Sequence, residues 1–230
     1  VAKTGQTTAI IGGTGSGKTT LVNLIPRFFD VTKGKVMIDG TDIREMSQES
    51  LREAIGYVPQ KGVLFSGTIA SNLRYGKEDA TKEQVMDAAR IAQAKEIIDG
   101  KKDGLDSAIA QGGSNVSGGQ KQRFSIARAI VKDPKIYIFD DSFSALDYKT
   151  DAILRRELSK KTKEAAVIIV AQRISTILHA DQIIVLDEGN IVGKGTHEEL
   201  LKTCPVYQQI AKSQLSEDDL KKAREVSDHE

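Results

Sequence analysis

Gly12-Gly13-Thr14-Gly15-Ser16-Gly17-Lys18-Thr19 fits the pattern G-x-x-x-x-G-K-[ST] in full, and no other stretch restricts the fold as much. Such a loop works between a buried strand and a helix. The strand aims it, and the helix start supplies free backbone N–H groups and the positive end of a dipole. Both neighbours are present. Thr7-Thr8-Ala9-Ile10-Ile11 reads as a buried strand, and Lys18 to Phe29 predicts a helix with Leu21, Leu24, Ile25 and Phe28 at helical spacing. The loop from Gly12 to Thr19, with Thr20 after it, is the predicted phosphate cradle. Lys18 reaches the outer phosphate oxygens and the Thr19 hydroxyl binds Mg²⁺.

Two further constellations point to phosphate chemistry. Ser117-Gly118-Gly119-Gln120 precedes a helical run from Lys121 to Val131. A helix start with a hydroxyl and two glycines suits an anion, because the ligand can approach the backbone closely. The same residues also read as an ordinary helix cap. The second is Lys135-Ile136-Tyr137-Ile138-Phe139-Asp140-Asp141, a buried strand ending in two carboxylates. Ligands of open α/β sheets sit at the carboxyl ends of strands. Asp140 is the predicted partner of Thr19 in holding Mg²⁺, and Asp141 is predicted to face the water that attacks the terminal phosphate.

Apolar runs recur at Thr8–Ile11, Ile136–Phe139, Ala166–Val170 and Ile183–Leu186 with helical patterns between them, which predicts a mostly parallel sheet covered by helices. Gly34 to Gly40 alternates like part of a β-hairpin. Between Gly67 and Gly113 no strand pattern is convincing; Thr68–Arg74, Lys82–Ala92 and Ala94–Ile98 read as helices, an insertion into the α/β core. The predicted division is 1–66 and 131–215 for the core, 67–130 for the helical part and 216–230 for a charged tail. That tail, Ser216-Glu217-Asp218-Asp219 then Leu220-Lys221-Lys222, reads as a solvated helix.

A net charge of +1 gives nucleic acid no bulk electrostatic attraction to this chain. The longest apolar run, Ala165 to Ala171, is far too short to cross a bilayer. Val1 to Ile11 lacks the pattern of a secretory leader, and Val1 is not a start residue, which predicts a piece of a longer protein. The lone Cys204 fits a reducing compartment and a packing role.

Loop, SGGQ stretch and strand-ending aspartate, in this order, resemble the nucleotide-binding domain of an ABC transporter. The likeness runs from Gly5 to about Gln209. Gln60, in Tyr57-Val58-Pro59-Gln60, matches the Q-loop glutamine, which in the family ligates Mg²⁺ and senses the membrane part. Thr68 to Gly76 resembles the exporter-type segment after it. Ser144-Ala145-Leu146-Asp147 matches the D-loop, and Gly195 to Leu200 the usual close of the domain. The resemblance implies a P-loop NTPase (RecA-like) core with a small antiparallel β part and an inserted helical subdomain. It implies ATP with Mg²⁺ as ligands and ATP hydrolysis as the activity. Two such domains close head to tail, each ATP lying between the phosphate loop of one and the signature, here Ser117, Gly118, Gly119 and Gln120, of the other. The remaining partners implied are transmembrane domains reached through the Q-loop and helical subdomain, at the cytoplasmic face of the cell membrane.

Departures from the family pattern sharpen this. The family has glutamate after the strand-ending aspartate; here it is Asp141, one methylene shorter. The family's switch histidine is replaced by Gln172, in Val170-Ala171-Gln172-Arg173, which can hydrogen-bond a γ-phosphate but carries neither proton nor charge. Gln111 replaces a glutamate before the signature, Val116 replaces a leucine, and no adenine-stacking aromatic lies between Val1 and Ile11. Asp141 and Gln172 together suggest the degenerate-site half of a bacterial heterodimeric multidrug exporter. Its own site would hydrolyse slowly or not at all, and its signature would complete the partner's site. The alternatives are a purely regulatory ATP-binding module and a soluble DNA-acting ABC ATPase. The second would need a long coiled coil between Gln60 and Ser117, where no sustained heptads occur.

Overall fold

The computed structural model describes residues 1–215. The helix expected after Ser216 lies outside them. In chain order the strands are β1 (Thr7–Gly12), β2 (Met37–Ile38), β3 (Thr41–Asp42), β4 (Ile55–Val58), β5 (Gly67–Thr68), β6 (Ala108–Ile109), β7 (Ile136–Asp140), β8 (Ala166–Val170), β9 (Gln182–Asp187) and β10 (Asn190–Gly195). Between and after them run α1 (Lys18–Asn23), α2 (Gln48–Glu53), α3 (Ile69–Arg74), α4 (Lys82–Ile91), α5 (Lys95–Asp99), α6 (Gly118–Lys132), α7 (Tyr148–Lys161), α8 (Ile174–Ile177), α9 (His197–Thr203) and α10 (Pro205–Gln214).

Six strands form one sheet in the order β10-β9-β1-β8-β7-β4. All neighbours are parallel except β10, which returns antiparallel beside β9. Parallel neighbours need long crossovers, which is why helices separate these strands in sequence. The sheet is covered on both faces, so its strands are apolar in near-continuous runs. The period of two then sorts the side chains. Ile10, Ile138, Ile168 and Val170 pack with Val22 of α1 and Leu51 of α2. Ala9, Ile11, Tyr137, Phe139, Val167 and Ile169 pack on the other side with Phe124 and Ile130 of α6, Leu154 and Leu158 of α7, and Tyr207 of α10. By the same parity Asp140 follows Ile136 and Ile138 onto the α1 side.

The α/β architecture expected from the sequence is the one found, with local corrections. Helix α1 stops at Asn23, well short of Phe29. Pro26 lacks an N–H and its ring would collide with the carbonyl of Val22; the chain turns instead, with Arg27 at φ 56°, and Phe28 is left 46% exposed. Strand β4 escaped notice because it is four residues long, precedes Pro59 and contains Gly56. That glycine is required: a Cβ there would lie 2.7 Å from Cγ of Pro134. Strand β10 escaped because Gly193 and Gly195 dilute its pattern. The segment read as purely helical is closed at its neck by a two-residue ladder, Gly67 beside Ile109 and Thr68 beside Ala108. The hairpin forms as expected, β2 and β3 turning on Asp39-Gly40 with φ 49° and 83°, the positive pair that an Asp-Gly turn provides.

Helices α9 and α10 close the sheet edge. Tyr207 is fully buried and its hydroxyl lies 2.7 Å from Nδ1 of His197, itself buried. Burial lowers the His197 pKa below its ordinary 6.5, with the charge of Glu198 opposing. The unfolded chain therefore takes a proton near pH 6.5 that the folded chain refuses until lower pH. The stability contributed by neutral His197 is present above that pH and is lost as pH falls below it. Urea midpoints measured from pH 7.5 down to pH 5 should fall more steeply for the natural chain than for His197→Gln; equal slopes would contradict the assignment.

Candidate functional site

Three parallel strands fix the site through one register. Ile10 of β1 lies beside Val170 of β8, and Val170 beside Asp140 of β7. The chain leaves each strand within two residues of this row, so Gly12, Asp141 and Gln172 emerge together at the carboxyl end of the sheet. A cleft of about 310 Å³ opens there, lined by Thr14, Gly15, Gly17, Lys18, Thr19, Thr20, Gln60, Asp140, Asp141, Val170 and Gln172. Residues far apart in sequence and singled out there thus share one cavity.

The loop is shaped by its glycines. Gly15 and Gly17 have φ 81° and 96°, and Gly17 begins α1 without any side-chain cap, leaving the first N–H groups for a ligand. Gly12 is needed for a different reason. A Cβ there would lie 2.1 Å from the backbone oxygen of Leu186 in β9 and 2.7 Å from Oγ of Ser16. Lys18 folds over the loop, its Nζ donating to the carbonyls of Gly12 (2.9 Å) and Gly13 (2.8 Å). Burial lowers the pKa of this ammonium, and the charges of Asp141 and Asp140 oppose that. Both carboxylates therefore act on the lysine.

Asp140 and Thr19 meet directly, the Thr19 hydroxyl donating to Oδ1 at 3.0 Å. The phenol of Tyr57 lies 3.2 Å from Oδ2 and 2.9 Å from Oδ1 of Asn23. A hydroxyl and a carboxylate side by side are the hard oxygen donors Mg²⁺ prefers, and Mg²⁺ commonly takes one or two protein oxygens plus phosphate and water. Gln60 lines the same cleft and carries a further amide oxygen. The donor set fits the cation.

Asp141 has φ 48°, in the left-handed region where aspartate is enriched among non-glycine residues. Its backbone is held on both sides: its N–H donates to Val170 O at 3.0 Å, and its carbonyl accepts from the Ser144 hydroxyl at 2.8 Å. Its side chain is buried, and one oxygen, Oδ2, accepts from both Gln60 Nε2 (3.1 Å) and Gln172 Nε2 (2.8 Å). Burial raises the pKa of this carboxyl, and the Gln60 hydrogen bond opposes it. Two amides thus hold the carboxylate from the sides.

The signature residues line a different surface. Ser117 caps α6: its Oγ accepts from Gln120 N (3.2 Å) while Gln120 Oε1 accepts from Ser117 N (3.1 Å). The cap reading is thus realised. A hydroxyl that accepts keeps its own proton for an anion. Beyond its chain neighbours and its own helix backbone, no heavy atom lies within 4 Å of a Cβ at Gly118, while one at Gly119 would come 3.3 Å from Ala145 O. The start of α6 therefore rests against the loop 144–147, whose Leu146 is buried and whose Asp147 caps α7. None of Ser117 to Gln120 lines the cleft of Lys18.

Two residues joined the site unannounced. Tyr57 lies on β4, and the pairing of that strand with β7 puts it on the α1 side with Asp140. Gln214, whose amide reaches the backbone of Gln172, gave no signal: a glutamine at a helix end has no pattern.

A family model described as "ABC transporter" matches residues 2–144. An uncharacterized ABC transporter ATP-binding protein of Mycobacterium tuberculosis is 53% identical over 216 residues, covering 93% of this chain and 37% of that protein. A putative multidrug export ATP-binding/permease protein of Bacillus subtilis is 46% identical over 206 residues, covering 90% and 36%. Among solved structures, a bacterial Atm1-family ABC exporter with ATP bound superposes with a TM-score of 0.90 at 38% identity, covering 94% of this chain and 38% of its own. The chain therefore spans little more than a third of the length of the relatives it matches.

The contact at Gly12 makes a prediction about one loop. Gly12→Ala should weaken binding of a fluorescent ATP analogue by about tenfold or more, because backbone must move to admit the methyl. Gly13→Ala, with no heavy atom within 4 Å of its Cβ, should bind nearly as the natural chain does. Equal losses at both positions would show that the close approach to β9 is not what makes Gly12 necessary.

Proposed function

Because the chain belongs to the ABC transporter family as its ATP-binding domain, we propose that it serves an exporter by holding Mg-ATP at a slowly hydrolysing site. It lends its signature to a partner domain whose own site turns over. In this reading Gly12 to Thr20 hold the phosphates, Lys18 faces the β- and γ-oxygens, and Thr19, Asp140 and Gln60 hold the cation. Mg²⁺ supplies charge neutralisation on the phosphate oxygens. Asp141 and Gln172 occupy the positions nearest the attacking water and the γ-phosphate.

The observation that carries the reading is the state of Asp141. A water-orienting base must come within about 2.6–3.2 Å of the water oxygen whose proton it takes. Here the side chain is one methylene shorter than the family's glutamate, on a left-handed backbone and engaged by two amides on a single oxygen. Gln172 reinforces the effect, since an amide near neutral pH cannot shuttle a proton. Phosphate-positioning groups remain complete, so binding is kept where turnover is weakened.

The open backbone at Gly118 supports a signature offered outward to another subunit. A second surface supports contact with a membrane part. An apolar cleft of about 280 Å³ runs between the core and the helical segment, lined by residues including Phe28, Tyr57, Pro59, Val63, Tyr75 and Arg128. Val63 and Tyr75 are 51% and 68% exposed, and Arg128 stacks 5.2 Å from the ring of Phe65. The cleft begins at the Q-loop, so a segment seated in it would bear on Gln60 and hence on Asp141. Among the described residues no helix is long and apolar enough to cross a membrane; in this reading the transporter's transmembrane domains cross it, with this domain on the cytoplasmic face.

The test uses the assembled transporter with the partner's hydrolytic site inactivated. Asp141→Glu combined with Gln172→His should raise residual ATP turnover roughly tenfold. No gain over the natural chain would remove the case for a site weakened at these two positions.

A further inference from the structure

The backbone on either side of Arg173 is gripped by one side chain from the far end of the described chain. Gln214, the last residue of α10, donates from Nε2 to the carbonyl of Gln172 at 2.7 Å, and its Oε1 accepts from the N–H of Ile174 at 2.8 Å. Partner chemistry fixes which way the amide faces, since a carbonyl needs a donor and an N–H an acceptor. Helix α8 begins at Ile174, and Arg173 before it makes no side-chain cap. Gln214 therefore stands in for that cap from another element, and its nitrogen does more than a cap requires.

What Gln214 holds leads straight into the site. Gln172 reaches Asp141 Oδ2 through its own amide at 2.8 Å. Arg173 donates to Ser144 O at 3.3 Å, and the Ser144 hydroxyl donates to Asp141 O at 2.8 Å. The loop between β8 and α8 is thus tied to Asp141 by the Gln172 side chain and by way of Ser144. It is tied to α10 by Gln214. Helix α10 is a firm base: Tyr207 and Ala211 are fully buried, and Gln208 Nε2 donates to Leu201 O at 2.8 Å.

We infer that Gln214 is a positioning residue for Gln172, so that the terminal helix α10 sets where the γ-phosphate-facing amide stands. The inference rests on the reading above that Gln172 faces the γ-phosphate. Its consequence is a specificity effect. A correctly placed Gln172 favours ATP over ADP, because only ATP carries the group it meets.

The experiment measures ATP and ADP affinities of the full-length protein by competition with a fluorescent nucleotide. The variants are Gln214→Glu, Gln214→Ala, Gln172→Ala and Gln214→Glu with Gln172→Ala. Glutamate at 214 keeps the acceptor for Ile174 N–H and loses the donor to Gln172 O, so it separates a cap from a positioner. Gln214→Glu should keep the melting temperature while its preference for ATP over ADP falls about fivefold, and ADP affinity should not change. Gln214→Ala should lose the preference to at least the same degree. In the Gln172→Ala background Gln214→Glu should cause no further loss. If Gln172→Ala loses the preference and Gln214→Glu retains it, Gln214 is only a cap and the inference falls. If Gln172→Ala itself retains the preference, the reading of Gln172 fails, and the inference fails with it.

Discussion

The register of three parallel strands is the constraint on which the rest of this structure depends. Ile10, Val170 and Asp140 lie in one row across β1, β8 and β7. A slip of one residue in any of these strands would exchange its two faces. Asp140 would leave the side of α1, and Thr19 would lose the carboxylate that it meets at 3.0 Å. The apolar side chains on both faces resist such a slip. The two cores beneath and above the sheet therefore set the register on which the site depends.

Within this frame the site has two halves. Gly12 is wedged against the backbone of β9, and Lys18 lies over its own loop carbonyls. On the other side Asp141, Gln60 and Gln172 hold one another by side-chain hydrogen bonds at a strained backbone position. Left-handed non-glycine residues persist only where their surroundings over-determine them, and they cluster at functional sites. Asp141 meets that description, with its backbone fixed by Val170 and Ser144 and its side chain by two glutamines.

The sequence showed what is contiguous and hid what is not. The phosphate loop, its strand and the acidic end of β7 were legible because each is a short motif in a required local setting. The apolar runs announced four of the six sheet strands. Strands β4 and β10 were hidden by glycines whose necessity lies in remote contacts, as at Gly56 against Pro134. Helix α1 was over-read because apolar spacing continues through Pro26, where helical hydrogen bonding cannot. The residues that line the cleft could be named from sequence, and their mutual contacts could not. That Gln60 and Gln172 share one oxygen of Asp141, or that Gln214 reaches across 42 positions to Gln172, follows from packing alone.

In the proposed reading ATP is held on this chain and spent at the partner's site. The most direct measurement follows the nucleotide on this chain. In the assembled transporter, with azido-ATP labelled separately at the α- and γ-phosphorus, photocrosslinking to this chain after several rounds of partner turnover should recover both labels together. The bound nucleotide would then still be ATP. Loss of the γ label from this chain at the rate at which the transporter turns over would contradict the account.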